Sequence, residues 1–237
     1  MRLAPLGFRL FVLVIVAAGG LALFNWARGH PQDFPWTPLV LADAAGRFTH
    51  YKIAGLRENF AGCRAVLDRG QVDYRVLAPV SSGGSCGYED GVRLEPASGG
   101  LYAPRADTSC PVAIGLFLWE KQVVEPAAIR HFGQRVTRIE TFGSYACRPV
   151  RGGREGRWSE HARANAIDIA AFRLADGRRI GVAGGWAREG ADGAFLRDVR
   201  DGACRMFSTV LSPDYNALHR DHLHLDQAPR GGWGYCR

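Results

Sequence analysis

The 237-residue sequence has no Cys-x-x-Cys pair, which argues against a cysteine zinc knuckle. There is no internal repeat, no low-complexity run and no RNA- or DNA-binding signature, so no nucleic-acid partner is expected. Lysine is nearly missing: Lys52 and Lys121 are the two present, and the net charge of +7 rests on arginine. Those arginines are scattered among Asp and Glu, as on a solvated surface.

A charge-free stretch runs from Leu10 to Phe24, behind Arg2 and Arg9 and closed by Trp26 and Arg28. No convincing small-x-small cleavage signal follows, so the run reads as a signal anchor; a cleaved secretory signal is the alternative. Both export the rest of the chain, because Arg2 and Arg9 stay inside. In that setting an anionic partner, a membrane surface or a wall polymer, suits the basic surface better than nucleic acid.

All six cysteines, Cys63, Cys86, Cys110, Cys147, Cys204 and Cys236, lie beyond the apolar run. An even count in an exported chain predicts three disulfides, and sequence does not choose among fifteen pairings.

The chain divides into an anchor (1–30), a juxtamembrane linker (31–55) whose Pro and aromatic residues need no fold of their own, and one domain (56–237). The domain splits into an N-terminal subregion (56–110) and a main part (111–237). Amphipathic spacing predicts a helix over Leu56–Leu67, then strands at Tyr74–Leu77 and Gly91–Leu94 around a Gly/Ser turn at Ser81–Ser85. A helix from Pro111 to Val124 is expected to kink or restart at Pro126, and a strand to cover Gln134–Tyr145. Asp176-Gly177 marks a hairpin between strands at Ala166–Phe172 and Arg179–Val182. Phe195, Leu196, Val199, Ala203, Phe207 and Val210 predict a core-facing helix ending before Pro213, followed by a strand at Asp221–Asp226. The sum is an α+β fold, with a mostly antiparallel sheet and helices packed on one side, preceded by one N-terminal transmembrane helix.

Four of the seven histidines fall in two short segments: Ser159-Glu160-His161 through Asp168, and His219 through Asp226. On a strand His222, His224 and Asp226 share one face, while Asp221, Leu223 and Leu225 take the other. Two imidazoles projected together, beside a His and an Asp from elsewhere, make a three-ligand zinc site with an open fourth position plausible. A lone His-x-His pair fits surface or hydrogen-bonded core histidines equally well.

The block Ser159-Glu160-His161-Ala162-Arg163-Ala164-Asn165-Ala166-Ile167-Asp168, followed far downstream by Asp221-His222-Leu223-His224, resembles the paired signature of the LAS zinc metallopeptidases. That superfamily includes D-alanyl-D-alanine carboxypeptidases and penicillin-insensitive murein endopeptidases. More narrowly, Gly143-Ser144-Tyr145-Ala146-Cys147-Arg148, Phe195-Leu196-Arg197 and Ala203-Cys204-Arg205, with those two blocks, resemble the bacterial extensin-like C-terminal domain family from about Leu56 to the end.

The resemblance implies a LAS-like fold holding one Zn2+ on His161, Asp168 and His224. It implies His222 as catalytic base or transition-state stabiliser, with Asp221 the competitor, although strand alternation turns Asp221 away. Arg148 would face the substrate, with Ser144 and His219 also lining the substrate side; Ser159 would orient His161 or else cap its turn, and Asp226 would orient an imidazole. Where this chain has Ala164, relatives often carry Gly. A Cys147–Cys204 disulfide bracing the site is a further expectation. The implied activity is hydrolysis of an amide bond in peptidoglycan stem peptides or crosslinks, as a murein endopeptidase or carboxypeptidase-like enzyme, from a single-pass inner-membrane position with the domain in the periplasm, or from the periplasm after signal cleavage. The alternative is a non-catalytic, zinc-stabilised domain that binds cell wall or protein.

Overall fold

A computed structural model describes residues 5–84, 86–150, 158–231 and 233–237. Arg2 and Ser85, used above, lie outside these residues. The apolar run forms helix α1 (Leu6–Gly29), 24 residues with none buried, long and apolar enough to cross a membrane. Residues 31–55 do not dangle as a linker would. They include α2 (Thr49–Ala54), and Leu41 and Ile53 are buried in the core. Further along, Gln122 accepts from Ala45 N at 2.8 Å and donates to the Asp43 carbonyl at 2.9 Å, tying the segment to the domain.

The expected first helix of the domain is α3 (Phe60–Arg69), capped by the Asn59 side chain, which accepts from Gly62 N. Its buried residues, Cys63, Val66 and Leu67, recur at the i, i+3, i+4 spacing of one helical face. Short strands follow: β1 (Tyr74–Val76), β2 (Val80–Ser81), β3 (Gly87–Tyr88), β4 (Gly91–Leu94), β5 (Tyr102–Ala103) and β6 (Thr108–Ser109). Strands β1, β4 and β6 form a small antiparallel sheet, and β2 pairs with β3 as a hairpin.

Helix α4 (Cys110–Trp119) is apolar on all sides and almost wholly buried. It runs through a π-helical segment, Glu120–Val124, into α5 (Glu125–Phe132). The kink expected at Pro126 is thus replaced by a widened turn just upstream, where a residue without an N–H is tolerated. The remaining elements are β7 (Val136–Gly143), β8 (Ala166–Leu174), β9 (Arg179–Gly181), a one-turn α6 (Val182–Gly185), α7 (Ala191–Ala203), β10 (Thr209–Leu211), β11 (Leu223–Asp226) and β12 (Tyr235–Cys236). The large sheet runs β12-β10-β11-β8-β7-β5, with β9 also on β8. Its central pairings are antiparallel but both outermost ones, β12 with β10 and β5 with β7, are parallel, so the sheet is mixed and the expectation of a mostly antiparallel one is corrected.

The last long helix stops at Ala203, short of the Val210 expected from spacing. Phe207 N still bonds the Ala203 carbonyl at 2.9 Å, but Val210 is buried by another route: Ser208 N bonds the Asp226 carbonyl at 2.9 Å, and Val210 pairs opposite Leu225. Spacings of four and three residues fit either geometry over so short a stretch. Trp119 links helices to sheet, donating to the Val199 carbonyl at 2.8 Å and lying 5.8 Å from the Phe172 ring.

Three disulfides join Cys63 to Cys110, Cys86 to Cys147 and Cys204 to Cys236. The expected Cys147–Cys204 bridge does not form, because the β2–β3 hairpin lies against the loop after β7. There Tyr145 Oη donates to Ser82 Oγ at 2.7 Å and the Tyr88 and Tyr145 rings meet edge to face.

Glu120, in the π-helical segment, is 5% exposed, and burial pushes its carboxyl up to about 7. Among the described residues, its Oε1 and the nearby Tyr102 hydroxyl meet no hydrogen-bond partner. A carboxyl that holds its proton more tightly folded than unfolded contributes stability at low pH and loses it as pH rises. Between its ordinary value of 4.5 and about 7 the folded chain therefore destabilises, by up to about 3 kcal/mol at about 1.4 kcal/mol per pH unit. Urea unfolding across this range should show Glu120→Gln with a flatter profile than wild type; parallel profiles would remove Glu120 as the cause.

Candidate metal centre

Strands β8 and β11 are antiparallel neighbours with Asp168 directly opposite His224. Leu223 and Leu225 turn into the core, so His224 and Asp226 project from the other face, as alternation requires. Asp168 is set on that face by a bulge. Glu140 pairs with Ala171 but Thr141 with Ile169, leaving Ala170 as an extra residue. The core side is taken by Ile167 and Ile169 before it and by Phe172 and Leu174 after it.

His161 comes from the 3-10 turn Glu160–Arg163, just before β8. That turn closes on Ala164 at φ 52°, in the left-handed region, and Ala164 is fully buried. Glycine would occupy this conformation without strain, whereas alanine carries a Cβ into it.

Among the described residues, His161, Asp168 and His224 bring one ligand atom each to a common point. His161 Nε2 lies 3.1 Å from His224 Nδ1, His224 Nδ1 lies 2.9 Å from Asp168 Oδ1, and His161 Nε2 lies 3.2 Å from the same oxygen. Donors at about 2.0–2.1 Å around a tetrahedral ion stand roughly 3.3–3.4 Å apart, so the triangle needs to open by only a few tenths of an ångström.

The outer ring nitrogens settle the tautomers. His161 Nδ1 is 2.6 Å from the Ser144 carbonyl, which can only accept, so that nitrogen carries the proton. His224 Nε2 faces Asp226 Oδ2 at 3.0 Å and likewise donates. In the neutral rings the inner nitrogens are therefore bare lone pairs, aimed at each other and at a carboxylate. Such a buried arrangement calls for positive charge at its centre, either a proton or a cation.

The same demand appears in the titration of the groups. Burial opposes the charge on His224, but Asp168 and Asp226 outweigh it and raise the imidazole to about 9. Burial likewise opposes ionisation of Asp168, yet His161 and His224 hold its carboxyl well below the usual carboxylate range. Two imidazoles and one carboxylate suit a zinc ion with one position left open, so the donor set fits the metal that the sequence implies.

His222 stands at the mouth, its Nε2 3.6 Å from Asp168 Oδ1 and its Nδ1 2.9 Å from Asp221 Oδ1. Asp221 is not turned away, because β11 begins only at Leu223 and alternation does not reach it. Arg148 Nη2 is 4.0 Å from Asp168 Oδ2, with about half of its side chain exposed. The His219 ring lies 5.1 Å from His222 and 6.0 Å from His224, and its Nδ1 meets Asn216 Oδ1 at 2.9 Å. Burial first, then the charge of His222 and His224, lowers His219 to about 4, which keeps it neutral at pH 7.

One expected role changes and another resolves to its alternative. Ser144 is buried and its hydroxyl donates to the Ala166 carbonyl at 2.7 Å, so it braces the scaffold and does not line the substrate side. Ser159 caps the turn by accepting from His161 N at 3.3 Å; the imidazole itself is oriented by the Ser144 carbonyl. Asp226 does orient an imidazole, that of His224, and is fixed in turn by Ala228 N at 2.9 Å. Phe142, exposed and edge-on to His222 at 5.8 Å, and Tyr215, 5.5 Å from His219, complete the rim. Neither was picked out by sequence, where a lone aromatic carries no signal of its own.

Fold and site together define an α+β domain with a candidate three-ligand metal centre at the edge between two central strands. The model of the family described as extensin-like protein C-terminus matches residues 61–237, and the chain belongs to that family. No curated protein and no solved structure matches the chain.

Proposed function

We propose that the chain is a LAS-type zinc peptidase that hydrolyses an amide bond in peptidoglycan stem peptides or their crosslinks, as a murein endopeptidase or carboxypeptidase-like enzyme. The observation that carries this reading is the convergence of one ligand atom each from His161, Asp168 and His224, beside the His222 imidazole. His161, Asp168 and His224 would hold the ion. Zinc in such a site supplies Lewis acidity, polarising a carbonyl and acidifying water.

The chain's own groups supply the rest. Asp221 holds the proton of His222 on Nδ1 and leaves Nε2, on the metal side, free to take a proton and return it to a leaving amine. Asp221 is thus a positioning residue and His222 the base, which divides the two roles that the sequence left in competition. Arg148 carries a guanidinium to the mouth, where it can bind a peptide carboxylate or an oxyanion. Compartment supports the substrate: three disulfides fit an oxidising space, and α1 fits a single-pass inner-membrane anchor with the domain in the periplasm.

Purified protein given muropeptides is expected to release shortened or uncrosslinked peptides, to stop when a chelator is added and to resume with zinc. Zinc-loaded protein that binds wall fragments without cleaving any of them would sink the proposal and favour a binding domain.

A further inference from the structure

We infer that the segment after α1 is a rigid collar, and that it seats the domain directly on the phospholipid headgroup layer through Trp26, Phe34 and Trp36. The inference rests on the reading of α1 as an uncleaved membrane anchor. At about 1.5 Å per residue, the 24 residues of α1 span about 36 Å, against about 30 Å of hydrocarbon. Twenty residues from Leu6 reach Asn25, which puts Trp26 at the boundary of the headgroups.

The next aromatic residues do not leave that level. The Phe34 ring lies 5.8 Å from Trp26, and the Trp36 ring 5.1 Å from Phe34, forming a continuous cluster at the end of the helix. His30 stacks on Trp26 at 4.9 Å, and its Nδ1 bonds the Trp26 carbonyl at 2.9 Å. Trp36 is 77% exposed, so among the described residues none covers it. An indole left open to water beside a membrane-spanning helix is what the interface accepts, burying the ring while its N–H stays hydrated. Arg28, with its guanidinium over the Phe24 ring, brings positive charge to the same level, where lipid phosphates lie.

The domain is fastened to this cluster without slack. Lys52 of α2 donates from Nζ to the Pro31 carbonyl at 2.9 Å and to Thr37 Oγ1 at 2.7 Å. Asp33 Oδ1 accepts from Arg47 N at 2.8 Å. Gly46 packs so closely on Gln32 and Asp33 that a Cβ there would collide with both. Residues on either side of the collar are therefore held within hydrogen-bond distance of the folded body, so the metal centre rides at a fixed height above the lipid and does not sweep the wall on a tether.

The test uses the full chain reconstituted in phosphatidylethanolamine/phosphatidylglycerol vesicles that contain phosphatidylcholine brominated either near the headgroup or near the chain ends. The Trp36 emission is taken as the difference between wild type and Trp36→Phe. The expected result is flotation with the vesicles, with Trp36 emission shifted to the blue and quenched more by shallow than by deep bromines. A chain that floats but whose Trp36 emits as in water, unquenched by either lipid, would overturn the seating and leave the anchor standing. Protein that does not float would remove the anchor, and the seating with it.

Discussion

Replacing His222 by alanine is expected to lower turnover by about 10²–10⁴-fold while the protein keeps its metal, the range associated with loss of a general acid–base group. The geometry separates this residue from the ligands. His222 Nε2 lies 3.6 Å from Asp168 Oδ1, whereas the inner atoms of His161 and His224 lie within 3.2 Å of that oxygen and are braced from behind. The His222 ring is held instead by Asp221, whose side chain is 37% exposed. Asp221→Asn should cost less, about 10-fold, because it loosens the imidazole without removing it, and the loss should fall on kcat more than on KM. A His222→Ala protein that loses zinc along with activity would show instead that His222 is a fourth ligand.

Removing the metal is expected to destabilise the fold as well as stop the reaction. A ligand present at about 1,000 times its Kd adds about 4 kcal/mol to the stability of the state that binds it, and a domain of this size shifts by about 2–4 °C per kcal/mol. Chelation should therefore lower Tm by roughly 8–16 °C, and added zinc should restore it. His224→Ala should melt low with or without the chelator, since it removes a ligand and leaves the buried Asp226 carboxylate without its imidazole. A wild-type Tm indifferent to chelation would mean that a proton, not a cation, balances the Asp168 and Asp226 charges.

Much of this centre is legible in the sequence. The alternation Leu223-His224-Leu225-Asp226 places two leucines in the core and turns His224 to the opposite face, because period-two geometry depends on nothing outside the strand, while the pairing with β8 sets His224 opposite Asp168. What sequence misreads are positions where that geometry stops. Asp221 escapes the alternation because it precedes the strand, in the turn after Ala217–His219. Val210 continues a helical spacing by coincidence and is buried by sheet pairing, whereas Phe207 lies just past the helix end with its N–H still on the Ala203 carbonyl. Cys147 pairs with Cys86, a contact made by the docking of the β2–β3 hairpin, which no local pattern encodes. The tie between His161 and Ser144 likewise runs through a backbone carbonyl, invisible in residue identity; the sequence shows only a serine, whose hydroxyl then serves the scaffold. The collar residues 31–55 look unstructured by composition because their order comes from single contacts, Lys52 on Pro31 and Gln122 on residues 43 and 45, not from a period.

The central claim is that three electron-rich atoms meet because a cation belongs between them. Elemental analysis of the purified, dialysed protein tests it most directly. The account predicts one zinc per chain in the wild type, retained by His222→Ala and absent from His224→Ala. Wild-type protein that emerges metal-free and takes up no zinc when the ion is supplied would contradict it.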